Sequence, residues 1–405
     1  MNTGAIESKA SHLALTSKFL VSVLTLGVGL MPQQASAAAG NAQFYQYVFD
    51  ICNTAPTVVT DLTKYNNVCA AFAGYATSGS VNSVNVGTAN AGSGTSLHKK
   101  KRIGENLDEQ KEKPAKGASA DGGGWGFLIT PQYSKNKRIE TDLENGYQSE
   151  LAGLVVGLDY RVSDSLVLGG TLGQTRDKAN FLNDAGWLKT SNNTFTLYGT
   201  WLPSDSIAVD GYLGYGKLNF DNQRQVAFSF ISGITSGSTT GNQVMAGVSA
   251  SYQTDIGRVN LSPFINLDYI KTSIKGYSEI GSNPDADSIA LHYGDRSTIS
   301  LTSSLGVRLA TSHDYDWGTL APSVRLAAVH EFQNKAKQIN NEFVITPGTG
   351  FLVATDAPDR NYLNLGIGVT AALNGGALLF LDFDKRTQDK LLSSWAVSLG
   401  GLFEF

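Results

Sequence analysis

The chain has 405 residues, a formal charge of −4, 44 glycines, 3 methionines and 2 cysteines. A charge this mild, with no Lys/Arg cluster interleaved with stacking aromatics, excludes a basic nucleic-acid-binding face. Abundant Gly, Ser, Thr and Asn beside scarce Met and Cys is the composition of an exported envelope protein rather than a cytosolic enzyme.

Residues 1–37 read as a signal peptide. Lys9 and Lys18 make a positive n-region, Phe19 to Leu30 an apolar core too short to span a bilayer, and Ala35-Ser36-Ala37 a small-residue cleavage site. No later stretch is long and apolar enough for a spanning helix, so any crossing must be made by strands.

Residues 38–96 form a short, non-repetitive module and tether. Phe44, Val48 and Ile51 follow helical spacing, as do Val58, Leu62, Tyr65, Cys69 and Phe72 after Pro56, which predicts two helices. In an oxidising compartment Cys52 and Cys69 read as a disulfide joining them, worth about 3 kcal/mol for a loop of this size. No His or second Cys pair stands near at ligand spacing, so no metal is expected there. Ser78 to Ser96, rich in Gly, Ser, Asn and Thr, is a flexible tether.

Residues 97–123 are a charged helix and a Gly-rich link. From Leu97 to Lys113 the segment is charged on nearly all sides, with Lys101/Glu105 and Glu109/Lys113 as i,i+4 pairs and Pro114 as a stop. As a helix it would run roughly 25 Å, close to the apolar height of a membrane barrel. Two readings stand: a helix held in a polar lumen, and a solvated linker.

From Gly124 to Phe405 a two-residue alternation recurs. Leu154, Val156, Leu158, Tyr160 and Val162 oppose Gly153, Gly157, Asp159 and Arg161; Leu363, Leu365, Ile367 and Val369 oppose Asn364, Gly366, Gly368 and Thr370. Each such strand is apolar on one side and small or polar on the other, the pattern of a wall between hydrocarbon and a wet interior. About twelve strands are expected, over 124–136, 148–162, 166–178, 190–203, 206–220, 240–255, 259–277, 297–312, 318–334, 360–374, 376–388 and 392–405. Tight turns at 163–165, 203–205, 256–258 and 374–375 alternate with longer polar connections at 138–147, 179–189, 221–239, 278–296 and 335–359. A soluble sandwich does not sort its loops this way, so the fold class is an all-β, twelve-stranded antiparallel transmembrane barrel. Its last strand puts Trp395, Val397, Leu399, Phe403 and Phe405 on one face.

The segment 124–405 resembles the β-domain of the autotransporters. The resemblance is carried by Gly157-Leu158-Asp159-Tyr160-Arg161, Leu197-Tyr198-Gly199-Thr200, Gly211-Tyr212-Leu213-Gly214-Tyr215-Gly216, Leu261-Ser262-Pro263-Phe264, Tyr277-Ser278-Glu279, Leu305-Gly306-Val307-Arg308-Leu309, Pro322-Ser323-Val324-Arg325 and His330-Glu331-Phe332, in that order, ending on Phe405. It implies a twelve-stranded outer-membrane barrel with a helix through its pore, whose role is to place an N-terminal passenger outside the cell. Asp159, Arg161, Arg308, Arg325 and Glu331 are then the lumen partners expected for the helix bearing Lys101, Glu105, Glu109 and Lys113. The passenger is atypically short, and Asn106 lacks the adjacent Asn at which some relatives cut themselves, so the passenger is expected to stay attached.

Expected partners are outer-membrane lipid, periplasmic chaperones and the barrel-assembly machinery, which would take Phe405 and its outward neighbours as the handle of the last strand. No cofactor is expected, and no enzyme. His330-Glu331 lacks the second His of a zinc motif, Gly247-Val248-Ser249-Ala250-Ser251 lacks the last Gly of a nucleophile elbow, Gly211, Gly214 and Gly216 precede no helix, and His313, Asp314 and Asp316 share one turn. Three roles remain: export and display of the short module, a passenger-poor structural protein or plugged pore, and a barrel-rim enzyme.

Overall fold

The computed structural model describes residues 39–54, 56–73, 124–228 and 230–405. The signal peptide, the tether and the charged segment with Lys101, Glu105, Glu109 and Lys113 lie outside the described residues.

Twelve strands form the wall: β1 Trp125–Arg138, β2 Tyr147–Ser163, β3 Leu166–Phe181, β4 Gly186–Ser204, β5 Ile207–Phe228, β6 Ile231–Tyr252, β7 Val259–Ile274, β8 Arg296–Thr311, β9 Gly318–Glu331, β10 Asn361–Leu373, β11 Ala377–Thr387 and β12 Leu392–Glu404. Each pairs antiparallel with its neighbours in sequence, and β1 pairs with β12 from Gly126↔Glu404 to Arg138↔Leu392, so the cylinder has no free edge. The seam ends where Trp125 and Phe405 exchange both backbone hydrogen bonds, at 3.0 and 2.9 Å. Closure satisfies every wall strand's backbone on both sides, which hydrocarbon demands.

The side chains follow the alternation. Leu158, Leu172, Leu197, Leu213, Ile265, Leu305, Ile367 and Leu399 are exposed on the outside, whereas Thr130, Thr171, Thr196, Gln243, Asp268 and Ser398 are buried on the inside. This is an apolar exterior around a polar lumen.

The two rims differ. One carries tight turns and both ends of the wall; Gly257 and Gly376 there adopt positive φ of 67° and 84°, which favours glycine. Trp125 and Tyr160 stand 5.0 Å apart at this rim and Tyr315 stacks on Trp317 at 5.4 Å, as interfacial aromatics do. Tyr362, at the opposite end of the wall, is buried, with the Arg386 guanidinium 3.6 Å from its ring centroid.

At the opposite rim four expected connections are corrected. Residues 221–239 are mostly strand, because β5 and β6 each run 22 residues. At about 3.3 Å per residue that is roughly 70 Å of strand, far more than a tilted crossing of a 25 Å apolar band needs, so the hairpin projects beyond it. The connection at 179–189 shrinks to the turn at Leu182–Asp184. The segments 278–296 and 335–359 are not merely polar loops: strands 277–278, 291–293, 338–343 and 350–354 pair into a second, four-stranded sheet. Period-two patterning could not reveal strands of two to six residues with mixed polarity.

Two helices lie against this second sheet, α1 Ala39–Thr54 and α2 Leu62–Ala73. Asp61 starts α2, its carboxylate accepting from the Lys64 amide at 3.1 Å. The expected apolar face of α2 needs correction: Val58 precedes the helix, and both it and Leu62 are exposed, while Val68 and Ala71 are fully buried.

Candidate functional site

The lumen wall is built from tyrosine, carboxylate and glycine. Tyr198 on β4 donates its hydroxyl to Asp159 on β2 at 2.8 Å, and Tyr212 on β5 donates to Asp268 on β7 at 3.0 Å. Each ring reaches its acid by lying across a glycine of the intervening strand. A Cβ at Gly169 would meet the Tyr198 ring at 2.4 Å, and one at Gly247 would meet Tyr212 at 2.4 Å. Glycine is therefore required at both places by close approach. Asp268 falls on the inward side its strand's alternation predicts, whereas Tyr198 and Tyr212 were not anticipated as lumen residues, because the glycines that admit their rings lie on neighbouring strands.

Wall partners hold Asp159, Arg161, Arg325 and Glu331 of the expected lumen residues. Asp159 is held by Tyr198. Arg161 stands 4.0 Å from Glu404 across the β1–β12 seam. Arg325 pairs with Asp384, and Arg308 is buried. Glu331 accepts from the amides of Leu301 and Gln333 at 2.9 and 2.8 Å and from the Ser300 hydroxyl, which anchors the outer end of β9. His330 turns the other way and contacts Asn361 at 2.8 Å, so the His-Glu pair never converges. In the turn after β8, Asp314 accepts from Thr319 at 2.8 Å and His313 contacts Thr311.

The far rim forms a dome. Arg224, on the projecting part of β5, donates to Glu279 at 2.6 and 3.2 Å and to the Ile289 carbonyl at 3.1 Å. Glu279 also accepts from the Tyr293 hydroxyl and the Leu291 amide, both at 3.2 Å. These bonds satisfy a fully buried ion pair and fasten the β7–β8 connection to the β5–β6 hairpin. Arg138 grips both Glu144 and Asp356, tying the first connection to the β9–β10 connection. Burial pushes the Glu144 carboxyl above its ordinary range, against the pull of Arg138.

On this dome the helices share one core with the connections. Phe44, Tyr47, Val48, Ile51 and Val68 pack with Ile231, Leu291, Phe343 and Phe351. Tyr47 stacks on Phe351 at 4.4 Å; its hydroxyl donates to the Thr349 carbonyl at 2.7 Å and accepts from the Phe343 amide at 3.2 Å. Thr60 donates from its amide to Ile345 at 2.9 Å, and Lys64 bridges to Asp287 at 2.6 Å. Cys52 and Cys69 form the expected disulfide between the helices. The fully buried apolar side chains each contribute about 1.5–3 kcal/mol, and the hairpin has little core apart from the dome.

The five residues of the expected assembly handle lie on the lipid-facing side of β12. Leu399, Phe403 and Phe405 are exposed, and Trp395 packs between Tyr133 at 5.9 Å and Phe383 at 6.2 Å.

The autotransporter beta-domain family matches residues 127–384, most of this wall. The chain belongs to the autotransporter β-domain family. Among curated proteins it is similar to Lipase 1 of Photorhabdus luminescens, 26% identical over 253 residues, covering 61% of this chain and 37% of that protein. It is also similar to Outer membrane protein A of Rickettsia rickettsii, 24% identical over 265 residues, covering 61% of this chain and 11% of that one. The chain thus spans well under half the length of either relative. Its fold is similar to the translocator domain of the autotransporter NalP from Neisseria meningitidis, with TM-score 0.56 and 14% identity over 77% of this chain and 98% of that one. The β-domain of the Bordetella autotransporter BrkA aligns with TM-score 0.50 and 19% identity over 70% and 100%. The autotransporter barrel resides in the outer membrane, with lipid around its apolar belt.

Proposed function

We propose that this barrel exports its own N-terminal hairpin and keeps it seated on the outer dome as a permanent surface module. One observation carries the reading: Ala73, at the end of α2, belongs to the helices on the dome, whereas Gly124, which opens the wall, stands at the tight-turn rim. The helices and the opening of the wall thus stand at opposite rims, and the lumen is the polar route by which a hairpin can reach the far side of hydrocarbon. On this reading the seated hairpin has a non-catalytic role, and export ends in burial of Phe44, Tyr47, Val48 and Ile51, which holds the module outside. The same burial favours the plugged-pore reading as a companion, because a module fixed to the rim also restricts it. The outward residues of β12 ending in Phe405 serve, on this proposal, as the assembly machinery's handle.

A protease-site tag inserted between Thr57 and Val58, in the exposed connection between the helices, tests the display. It should be cut on intact cells. A tag protected until lysis would place the hairpin inside and remove the proposal.

A further inference from the structure

Four cations stand together on the outside of the wall where its apolar belt ends. Arg176 and Lys178 on β3, Lys189 on β4 and Lys217 on β5 are all exposed. They lie on the same outward side as the belt residues of their own strands, Leu172, Phe195 and Tyr215. Lys178 and Lys189 are direct cross-strand partners, and Lys217 pairs in register with Asn193, itself opposite Gln174. Two like charges placed opposite each other destabilise a sheet unless something neutralises them.

Nothing near them does so fully. Among the described residues none of the four forms an ion pair. Two acids face the four cations: Glu150, the register partner of Lys178, which is already held by Lys135 at 2.7 Å, and Asp221, the register partner of Lys189. Lys189 is drawn to the wall by Trp187, its ammonium 4.3 Å from the ring centroid. On the opposite wall the corresponding outward positions of β9–β12 are His330, Asn361, Lys385 and Ser393, so the charge is concentrated on one side.

Toward the tight-turn rim the adjoining strands β4–β8 carry an apolar groove of about 590 Å³. Gly211 and Ala246 leave room in it between the outward side chains of Leu197, Leu213, Val248 and Leu267. A groove for hydrocarbon beneath a group of cations at the outer end of the belt matches a lipid with several acyl chains and a phosphorylated headgroup. A zwitterionic headgroup brings its own ammonium with its phosphate and would neutralise the Lys178–Lys189 pair less.

We propose that β3–β8 form a specific site for the phosphorylated, multiply acylated glycolipid of the outer leaflet. Arg176, Lys178, Lys189 and Lys217 hold its phosphates, and its acyl chains lie toward the groove. The site fixes which side of the barrel faces its anionic lipid, and goes beyond export.

The test uses the full chain, refolded in neutral detergent and titrated with a bis-phosphorylated hexaacyl disaccharide, its dephosphorylated form, and phosphatidylglycerol. Native mass spectrometry reads the bound lipid, and heat-modifiable migration reads the fold. The variant R176Q/K178Q/K189Q/K217Q should bind the bis-phosphorylated lipid at least about tenfold more weakly, as loss of several surface cations implies. The dephosphorylated lipid should bind wild type as weakly, and K385Q on the opposite wall should change nothing. Should the fourfold variant not fold, K178Q alone carries the test. It should unfold at higher temperature than wild type in lipid-free detergent, and gain less than wild type when the phosphorylated lipid is added. Equal binding by folded variant and wild type, equal binding of phosphatidylglycerol, equal loss in K385Q, or a K178Q variant less stable without lipid would each overturn the site.

Discussion

The wall and the dome use the same apolar residue types with opposite orientation. Leu213 and Leu305 on the wall are 66% and 67% exposed, whereas Leu291 and Phe343 in the dome are at 0%. The difference lies in what surrounds each region. Around the belt the medium is hydrocarbon, so apolar side chains point outward and the polar lumen is the interior. Around the dome the medium is water, and the hydrophobic effect again drives apolar groups inward. The projecting β5–β6 hairpin crosses this boundary within single strands: Tyr215 is exposed in the belt, and Val226, farther along β5, is buried under the dome.

The comparison breaks most readily in the dome. Phe343 is fully buried, meets the rings of Phe44 and Tyr47 at 5.8 and 5.2 Å, and donates its amide to Tyr47. Phe343→Ala should cost about 3–5 kcal/mol through lost transfer and the cavity left behind. The expected readout is selective: limited proteolysis should cleave the α1–α2 hairpin of the variant, while residues 124–405 keep heat-modifiable migration. Simultaneous loss of both would show that dome and wall unfold as one unit.

On the wall the informative change is a charge rather than a cavity. Leu305→Arg sets a guanidinium against hydrocarbon and should cost about 2–4 kcal/mol if the position lies near the bilayer centre, less toward an interface. Urea titration of barrels folded into vesicles measures it. Hairpin proteolysis should be unchanged, because Leu305 touches no part of the dome core. A Leu305→Arg protein as stable in vesicles as wild type would mean that this face does not meet lipid.

What was legible in the sequence follows the same division. Wall strands repeat one rule over ten or more residues, so Leu154 to Val162 and Leu363 to Val369 announce both strand and face, and the Gly/Asp/Ser turns mark the tight rim. The dome obeys no such period. Leu291, Phe343 and Phe351 sit on strands of three to six residues whose partners are distant in sequence, and only tertiary pairing gives them a buried side. The disulfide was legible because two cysteines admit one pairing. The seat of the hairpin was not, since Phe44, Val48 and Ile51 reveal a buried face without revealing what buries it. The Tyr198–Asp159 and Tyr212–Asp268 joints were hidden for a related reason: the glycines that admit the rings lie on a neighbouring strand.

The smallest expected effect sharpens how the hairpin is seated. Burial pushes the Asp287 carboxyl up, but hydrogen bonds from Lys64 and the Gly281 amide outweigh it and hold the group below its usual range. The hydrogen bond it donates to Asp287, against a smaller desolvation effect, holds the Lys64 ammonium above its usual value. A depressed acid contributes stability that is present above its unfolded pKa and lost as pH falls through the folded one; a raised base contributes stability that is present below its unfolded pKa and lost as pH rises through the folded one. The bridge should therefore hold from roughly pH 4 to pH 10 and fail on either side. Being partly exposed, it should contribute under about 1 kcal/mol. Asp287→Asn should accordingly raise the hairpin's proteolysis rate by a small factor at pH 7, with the difference from wild type shrinking as pH falls through the depressed pKa of Asp287 and the side chain becomes neutral. A difference that persists undiminished in acid would show that the side chain acts through its hydrogen bond to Gly281, at 2.7 Å, rather than through its charge.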